Sequence, residues 1–240
     1  MMITVPIFSI AGTLLLYPFS FKVRYGFYRQ WGVMVLWLLK VLCRLDFEVH
    51  GKNNIPNGAS IIFCKHQSAW ETIALQSIFP PQVWVLKHEL IWVPFFGWSL
   101  AQLESVAIAR GSGRKAVSQI VEQGTDRLKK GRCVVVFPEG TRIAPGLKKK
   151  YGIGGSILAE RSGFPVVPVA HNAGEYWPRR GLIKKPGTIK VVIGKPIDSS
   201  KHSATQINEL AKQWIDATVD EISTLKPIDA KQLHAEMQTS

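Results

Sequence analysis

The chain has 240 residues and carries 30 Lys and Arg against 17 Asp and Glu, a formal net charge of +13. This length fits one large α/β domain with an appendage, and the positive charge indicates anionic partners. The three cysteines form no CxxC pair and the six histidines show no metal-ligand spacing, which argues against a disulfide framework and a metal site. Because no nucleic-acid motif is present, we expect lipid headgroups, phosphorylated small molecules or an acidic carrier as partners, and no nucleic acid.

The first predicted element is an apolar N-terminal segment. Residues 2–21 carry no charged side chain and could just cross a bilayer core, although two prolines and a glycine weaken a helix there. Basic residues follow this run but none precedes it, which argues against a cleaved signal peptide and predicts a cytoplasmic remainder. A second apolar stretch, 31–42, contains Lys40 and is too short to span comfortably. We therefore predict hydrophobic helices over residues 1–45 that anchor the chain at a membrane phospholipid surface, by spanning it or lying in one leaflet; the alternative is core helices of a soluble domain.

From residue 46 onward, segments of strand pattern alternate with segments of helical pattern. The predicted strands are 47–50, 61–64, 83–86, 106–109, 133–137, 166–170 and 190–193, and the predicted helices are 68–79, 95–103, 113–130, 154–162 and 204–225. This alternation predicts a layered α/β domain over residues 46–225 with a largely parallel mixed sheet. Residues 226–240 are predicted to form a loosely held tail.

The most informative stretch is the strand-to-helix junction that contains His66 and Glu71. In one continuous helix their spacing of five residues would place them roughly 140° apart, so the side chains would not meet. If His66 lies in the turn and Glu71 in the first helical turn, the carboxylate can orient one ring nitrogen and leave the other to accept a proton. Alternatively, Ser68 and Glu71 form a capping box, in which Glu71 only bonds a free amide at the helix start.

Three other predicted strand ends carry candidate site residues, since functional side chains gather at the carboxyl ends of strands in open α/β sheets. Arg110 precedes a glycine-rich turn and is a phosphate receptor or, alternatively, a solvated arginine. In the segment FPEGTR, Glu139 and Arg142 offer one acceptor and one donor to a polar substrate, or form a simple surface ion pair. Lys87 is a weaker phosphate candidate.

These motifs together resemble a known family. HQSAWE, which is an H-x4-D/E motif, the stretch at Arg110, FPEGTR and VPVA occur in the order and spacing of the glycerolipid acyltransferases. Over roughly residues 45–200 the chain is similar to the PlsC-type 1-acyl-sn-glycerol-3-phosphate acyltransferases. It departs from the common pattern by carrying Glu71 where Asp is usual, and Glu104 and Ala107 where Gly and Phe are usual.

The resemblance implies transfer of a fatty acyl group from acyl carrier protein or coenzyme A to the 2-hydroxyl of lysophosphatidate, giving phosphatidate for phospholipid synthesis. It implies no cofactor besides the thioester co-substrate, no metal, and a cytoplasm-facing site at the cell inner membrane. Its implied site residues are His66 as general base, Glu71 as its orienting acid, and the substrate-binding residues Arg110, Glu139, Gly140, Thr141, Arg142 and, more weakly, Lys87.

Two points stay open at this stage. The aromatic residues Trp92, Phe95, Phe96 and Trp98 line the tunnel for the acyl chain or, equally well, belong to the core. The reaction itself has two alternatives, namely acyl transfer to another lyso-lipid acceptor and a non-catalytic, membrane lipid-binding protein that would not need His66 and Glu71 together.

Overall fold

A seven-stranded mixed sheet lies at the centre of the structure, a computed structural model that describes residues 4–109 and 111–225. Its strands are β1 (Leu45–His50), β2 (Ile61–Cys64), β3 (Gln82–Lys87), β4 (Val106–Ile108), β5 (Cys133–Val136), β6 (Val166–His171) and β7 (Gly187–Ile193). They lie in the order β1-β7-β6-β2-β5-β3-β4, and every neighbouring pair is parallel except β6 and β7. The carboxyl ends of β2 to β6 therefore meet at one edge of the sheet, which also receives the start of β7.

The helices cover both faces of this sheet. They are α1 (Thr4–Leu16), α2 (Phe21–Cys43), α3 (Trp70–Ile78), α4 (Phe96–Gln102), α5 (Arg114–Lys129), α6 (Gly154–Ser162), α7 (Ala173–Tyr176) and α8 (Ala204–Ile222), with short 3-10 helices at Lys52–Asn54 and His88–Trp92. Right-handed crossovers place α3 and α4 on one face and α5 on the other. The helices α1 and α2 pack on α4 and α3, whereas α6 packs on α5 and α8.

The N-terminal helices are attached to the α/β domain by polar contacts as well as by packing. The buried side of α2 repeats at helical spacing through Phe21, Tyr25 and Tyr28, and the guanidinium of Arg132 lies over the Phe21 ring. Arg24 forms an ion pair with Glu104. None of the helices in the described part of the chain combines the length and the apolar character needed to cross a membrane.

The predicted strands and helices are present, with shifted ends. The second apolar stretch extends from 31–42 to Phe21–Cys43, because its buried stripe continues toward the N-terminus. The stretch 2–21 is interrupted before α2, and α1 ends at Leu16, close to Pro18. Residues 226–240, predicted as a loose tail, lie outside the described residues.

Pro168 occupies a central strand, where a missing amide would normally break the ladder. The antiparallel ladder between β6 and β7 covers Val169 to His171 and resumes as an isolated bridge between Val166 and Ile197. Between these two paired segments the Pro168 carbonyl accepts from the Gly194 amide at 2.9 Å, but the proline has no N–H to donate in return, so the β6–β7 ladder is interrupted at this position.

Candidate active site

His66 lies just beyond β2, at the edge of the sheet where the parallel strands end. The loop is short and tightly held: the His66 carbonyl accepts from the Ile143 amide at 2.8 Å, and the ring stacks on Phe137 with 4.0 Å between centroids. The segment after β5 thus holds the loop after β2 by a backbone hydrogen bond and by a ring contact. The imidazole is placed by backbone bonds and ring contact rather than by a flexible side-chain tether.

Glu71 orients the His66 ring. Its Oε1 is 2.8 Å from His66 Nδ1, and the carboxylate is fully buried. Because an ionised carboxylate only accepts, Nδ1 carries the proton, and Nε2 is the nitrogen able to accept another. The predicted geometry, with the histidine in the turn and the acid in the first helical turn, is present because α3 begins at Trp70.

The same carboxylate also caps the start of α3. Its oxygens accept from the backbone amides of Gln67 at 3.0 Å and Ser68 at 2.9 Å. The Ser68 hydroxyl accepts from the Trp70 amide instead of the Glu71 amide, so only the carboxylate half of the capping box forms. Glu71 therefore makes the contacts expected from both sequence hypotheses: it bonds to the His66 ring and it bonds to free backbone amides at the start of α3.

The pKa of the Glu71 carboxyl is set by opposing effects. Burial raises this pKa, but the neighbouring His171, the bond from His66 and the Ser68 amide lower it, and the result lies below the usual value. The carboxylate is therefore ionised at neutral pH. Burial lowers the pKa of His171, whose Nε2 donates to the Lys65 carbonyl at 2.8 Å and whose Nδ1 accepts from the Ala173 amide.

Lys65 and Glu139 form a buried ion pair next to the backbone of His66. Lys65 Nζ lies 2.5 Å from Glu139 Oε1, and both side chains are at most 2% exposed. The other carboxylate oxygen, Oε2, accepts from the His66 amide at 2.9 Å. Sequence analysis predicted a direct substrate contact for Glu139; in the structure both of its oxygens are engaged inside the protein. The geometry of these two contacts suits a role for Glu139 in positioning the His66 backbone.

The other predicted substrate-binding residues differ in where the structure places them. Arg142 borders the same cavity as His66, and its buried Nε has no hydrogen-bond partner within the described residues. Gly140, at a positive φ of 72°, and the half-buried Thr141 lie in the turn that leads to Arg142. Lys87 is half exposed, pairs with Glu89 at 3.0 Å and does not border the cavity. Arg110 lies outside the described residues.

A largely apolar cavity of about 410 Å³ opens beside His66 and continues between the N-terminal helices, α3, β3 and α4. Among its lining residues are Val5, Phe8 and Ser9 of α1, Tyr28 and Trp31 of α2, Ala69, Thr72 and Ile73 near α3, and Phe96 and Leu100 of α4. The helices predicted as an anchor therefore form one wall of the site. Its volume is within the range of small-ligand pockets, and its lining suits an acyl chain.

The four aromatic residues for which the sequence leaves two roles open, tunnel lining or core, lie in different places. Phe96 borders the cavity, whereas Trp92 is 74% exposed and Trp98 is 46% exposed. Phe95 is also exposed, and it packs edge-on against Trp98. Trp92, Phe95 and Trp98 therefore lie on the surface rather than in the core.

Sequence reasoning did not select Lys65, His171 or the cavity residues of α1 and α2. Lys65 directly precedes the histidine of the first motif, but a single lysine after an apolar strand gives no signal that it turns inward to a partner far along the chain. Within the described residues, no group of three or more His, Cys, Asp or Glu side chains could hold a metal ion. The His66–Glu71 pair offers acid–base chemistry next to a largely apolar cavity.

Comparison with known proteins identifies relatives of this arrangement. A family model described as Acyltransferase matches residues 46–172. A 1-acyl-sn-glycerol-3-phosphate acyltransferase of Pseudomonas aeruginosa is 44% identical over 220 residues, which cover 90% of this chain and 84% of that protein. The Escherichia coli protein of the same name is 29% identical over 174 residues, covering 72% of this chain and 69% of that protein. The crystal structure of the lysophosphatidate acyltransferase PlsC from Thermotoga maritima shares the fold, with a TM-score of 0.72 at 20% identity, over 91% of this chain and 88% of that one.

Proposed function

The chain belongs to the acyltransferase family, and from this premise we propose that it transfers a fatty acyl group from a thioester to the 2-hydroxyl of lysophosphatidate, forming phosphatidate. The observation that carries the proposal is the His66–Glu71 pair, with 2.8 Å between Nδ1 and Oε1, at the mouth of an apolar cavity. The name of the Pseudomonas aeruginosa relative, 1-acyl-sn-glycerol-3-phosphate acyltransferase, supports the choice of acceptor.

In this mechanism His66 is the general base. Its Nε2 removes the proton of the acceptor hydroxyl as that oxygen attacks the thioester carbonyl, an effect typically worth about 10²–10⁴-fold in rate. The carbon–sulfur bond then breaks, and the departing thiolate takes the proton from the imidazolium. Glu71 holds the ring and stabilises its positive charge between these two steps, since its buried carboxylate remains ionised. No covalent enzyme intermediate is needed, because the substrate supplies the nucleophile.

Arg142 is our candidate for holding the glycerol-phosphate part of the acceptor. It borders the cavity together with His66, and its buried Nε lacks a partner among residues 4–109 and 111–225. A guanidinium with an unused donor matches the oxygens of a phosphate group. We propose supporting contacts from Gly140 and Thr141. Glu139 acts through the His66 backbone in this proposal.

Arg110 and Lys87 remain proposed phosphate ligands from the sequence. Arg110 carries the stronger argument, because the matching motif of the family places an arginine there. Lys87 carries the weaker one, because its ammonium pairs with Glu89 and it does not border the cavity. Acyl carrier protein and coenzyme A are both anionic donors, and the net charge of +13 suits either.

Membrane association at the inner membrane, with the site facing the cytoplasm, is part of the proposal. It is supported by large apolar side chains on the surface of the N-terminal helices, among them Leu14 at 75% and Leu42 at 74% exposure, and by Trp92 at 74%. Such exposed aliphatic and aromatic residues beside basic ones are typical of helices that lie in the plane of a membrane interface.

The test is acyl transfer to lysophosphatidate and to a panel of other lyso-lipids, using acyl-carrier-protein and coenzyme A thioesters. The His66→Ala variant should lose at least 100-fold in kcat, about the lower end of the range for general base catalysis. His50→Ala is the matched control, because His50 lies at the opposite edge of the sheet with 59% of its side chain exposed. Equal activity of both variants would remove His66 as the base, and turnover restricted to another acceptor would overturn lysophosphatidate as substrate.

A further inference from the structure

The segment between β6 and β7 ends in a loop of unusual chemistry, Pro178–Lys185, which we call the 178–185 loop. Leu182 and Ile183 are 86% and 82% exposed, the highest values among the large apolar side chains of the described residues. Two arginines immediately precede the glycine before this pair, and two lysines immediately follow it. Four cations therefore surround two fully presented aliphatic side chains.

The exposure of this tip is built into the structure, because the base of the 178–185 loop is held by several contacts. The Lys185 amide donates to the Tyr176 carbonyl at 2.8 Å, and the Gly181 amide donates to the Pro178 carbonyl at 2.9 Å. The ammonium of Lys184 lies over the Trp177 ring, 4.7 Å from its centroid. These contacts leave Leu182 and Ile183 no inward packing position within the loop.

The loop lies at the same edge of the sheet as the candidate active site. It connects the carboxyl end of β6 to the start of antiparallel β7, and the Arg179 guanidinium donates to the Arg142 carbonyl at 3.4 Å. The Gly174 amide donates to the Gln67 side chain at 3.3 Å, which ties the preceding residues to the His66 loop. After the loop, the Gly187 amide donates at 2.9 Å to the carbonyl of Arg44, the residue that follows α2.

We propose that the 178–185 loop is a second membrane contact, in which Leu182 and Ile183 insert into an anionic lipid surface while Arg180 and Lys185 bind lipid phosphates and Arg179 and Lys184 add positive charge beside them. An aliphatic tip enters the headgroup and acyl boundary, and each basic residue near that surface adds attraction to anionic lipids. The loop would hold the entrance beside Arg142 against the membrane in which the acceptor resides. This inference rests on the proposed function, because it gives the loop the lipid surface that supplies lysophosphatidate.

A membrane fits this loop better than a protein partner. A stable protein interface buries about 800 Å² on each side, which two aliphatic side chains on a narrow tip do not provide. Insertion of only about 5–10 Å is enough to bury such a tip in a lipid interface. The neighbouring end of α2 adds exposed apolar surface at Val41 and Leu42, so the loop extends an apolar region rather than forming an isolated one.

The first experiment measures binding of the full chain to vesicles of phosphatidylcholine, with and without phosphatidylglycerol, by flotation. Leu182→Ser/Ile183→Ser should weaken binding to the mixed vesicles about tenfold or more, from the loss of buried aliphatic groups. Arg180→Gln/Lys185→Gln should weaken binding roughly thirtyfold and only when phosphatidylglycerol is present. Leu210→Ser, an exposed leucine of α8 that is 41% exposed, is the matched control and should bind as wild type does.

The second experiment measures acyl transfer to a short-chain lysophosphatidate dispersed in solution and to lysophosphatidate in vesicles. Loss confined to the vesicle assay, with unchanged melting temperature, supports the proposal. It is overturned if both loop variants bind vesicles as wild type does, or if they lose turnover only with the acyl carrier protein donor, which would make the loop a carrier-protein contact. A wild type that binds vesicles through the loop but acylates no lyso-lipid would refute the proposed function and leave the loop assignment standing.

Discussion

The buried Lys65–Glu139 pair can be dismantled one charge at a time, and this separates a positioning role of Glu139 from direct substrate binding. Glu139→Gln keeps a carbonyl oxygen that can still accept from the His66 amide, but its amide nitrogen then faces the Lys65 ammonium, donor against donor. Lys65→Met removes the cation and leaves the Glu139 carboxylate with only the His66 amide. The double variant Lys65→Met/Glu139→Gln removes both charges and keeps the bond to His66.

The expected magnitude follows from burial. The side chains are 2% and 0% exposed, so each single variant leaves an uncompensated polar or charged group in the interior, at a cost of about 3–5 kcal/mol. For a chain of this size each kcal/mol corresponds to about 2–4 °C, which predicts a fall in melting temperature of roughly 6–20 °C. Replacing a buried pair with neutral groups of similar volume is often close to neutral, so the double variant should recover most of the loss.

Thermal unfolding of the four proteins gives the coupling energy, and steady-state kinetics on the stable double variant then test function. If Glu139 acts through the His66 backbone, the double variant should keep its KM for lysophosphatidate and lose less than about tenfold in kcat. A single Glu139→Gln variant that melts as wild type does, but binds lysophosphatidate much more weakly, would refute this reasoning and restore the substrate contact predicted from the sequence.

Two further predictions concern the histidine's partner and the cavity. Glu71→Gln should lower kcat by about 10²-fold or more, because the imidazolium loses its counter-charge. The variant should also have a lower melting temperature, because the new amide faces the Ser68 backbone N–H. An unchanged kcat of the folded variant would assign Glu71 to capping alone. Ser9→Phe places a large side chain at the α1 wall of the cavity. It should lower the rate of transfer from long acyl donors by about fourfold for each excluded methylene, since one buried methylene contributes about 0.8 kcal/mol. An equal loss of rate with short donors would place the acyl chain elsewhere.

The strands and the central pair of the site could be predicted because their signals are local. Apolar runs bounded by turn residues mark β2 and β5, and the five-residue spacing from His66 to Glu71 has few solutions once the histidine lies in a turn. The start of α3 could not be placed at Trp70, because Ser68 and Glu71 fit a full capping box equally well. In the structure the Ser68 hydroxyl bonds to the Trp70 amide instead.

The contacts that position the site depend on residues far apart in the chain, and local patterns do not contain them. Lys65 pairs with Glu139, 74 positions away, and nothing in either segment indicates that both turn inward. The cavity wall has the same origin: Ser9 bonds to Ser99 and Tyr28 to Gln102, contacts that appear only when α1 and α2 fold back onto α4. The sequence could therefore predict an apolar N-terminal segment without showing that it completes the site.

The two N-terminal helices form one wall of the cavity in addition to the membrane attachment that we propose for them, so the chain is less modular than its sequence pattern indicates. A shortened protein that begins near β1 would lose one side of the cavity at Val5, Phe8 and Tyr28, and we expect such a protein to be inactive. We expect a graft of residues 1–45 from a relative to change the acyl-length preference, because these residues contribute to the cavity lining. Selection on the proposed attachment would then also act on the shape of the cavity.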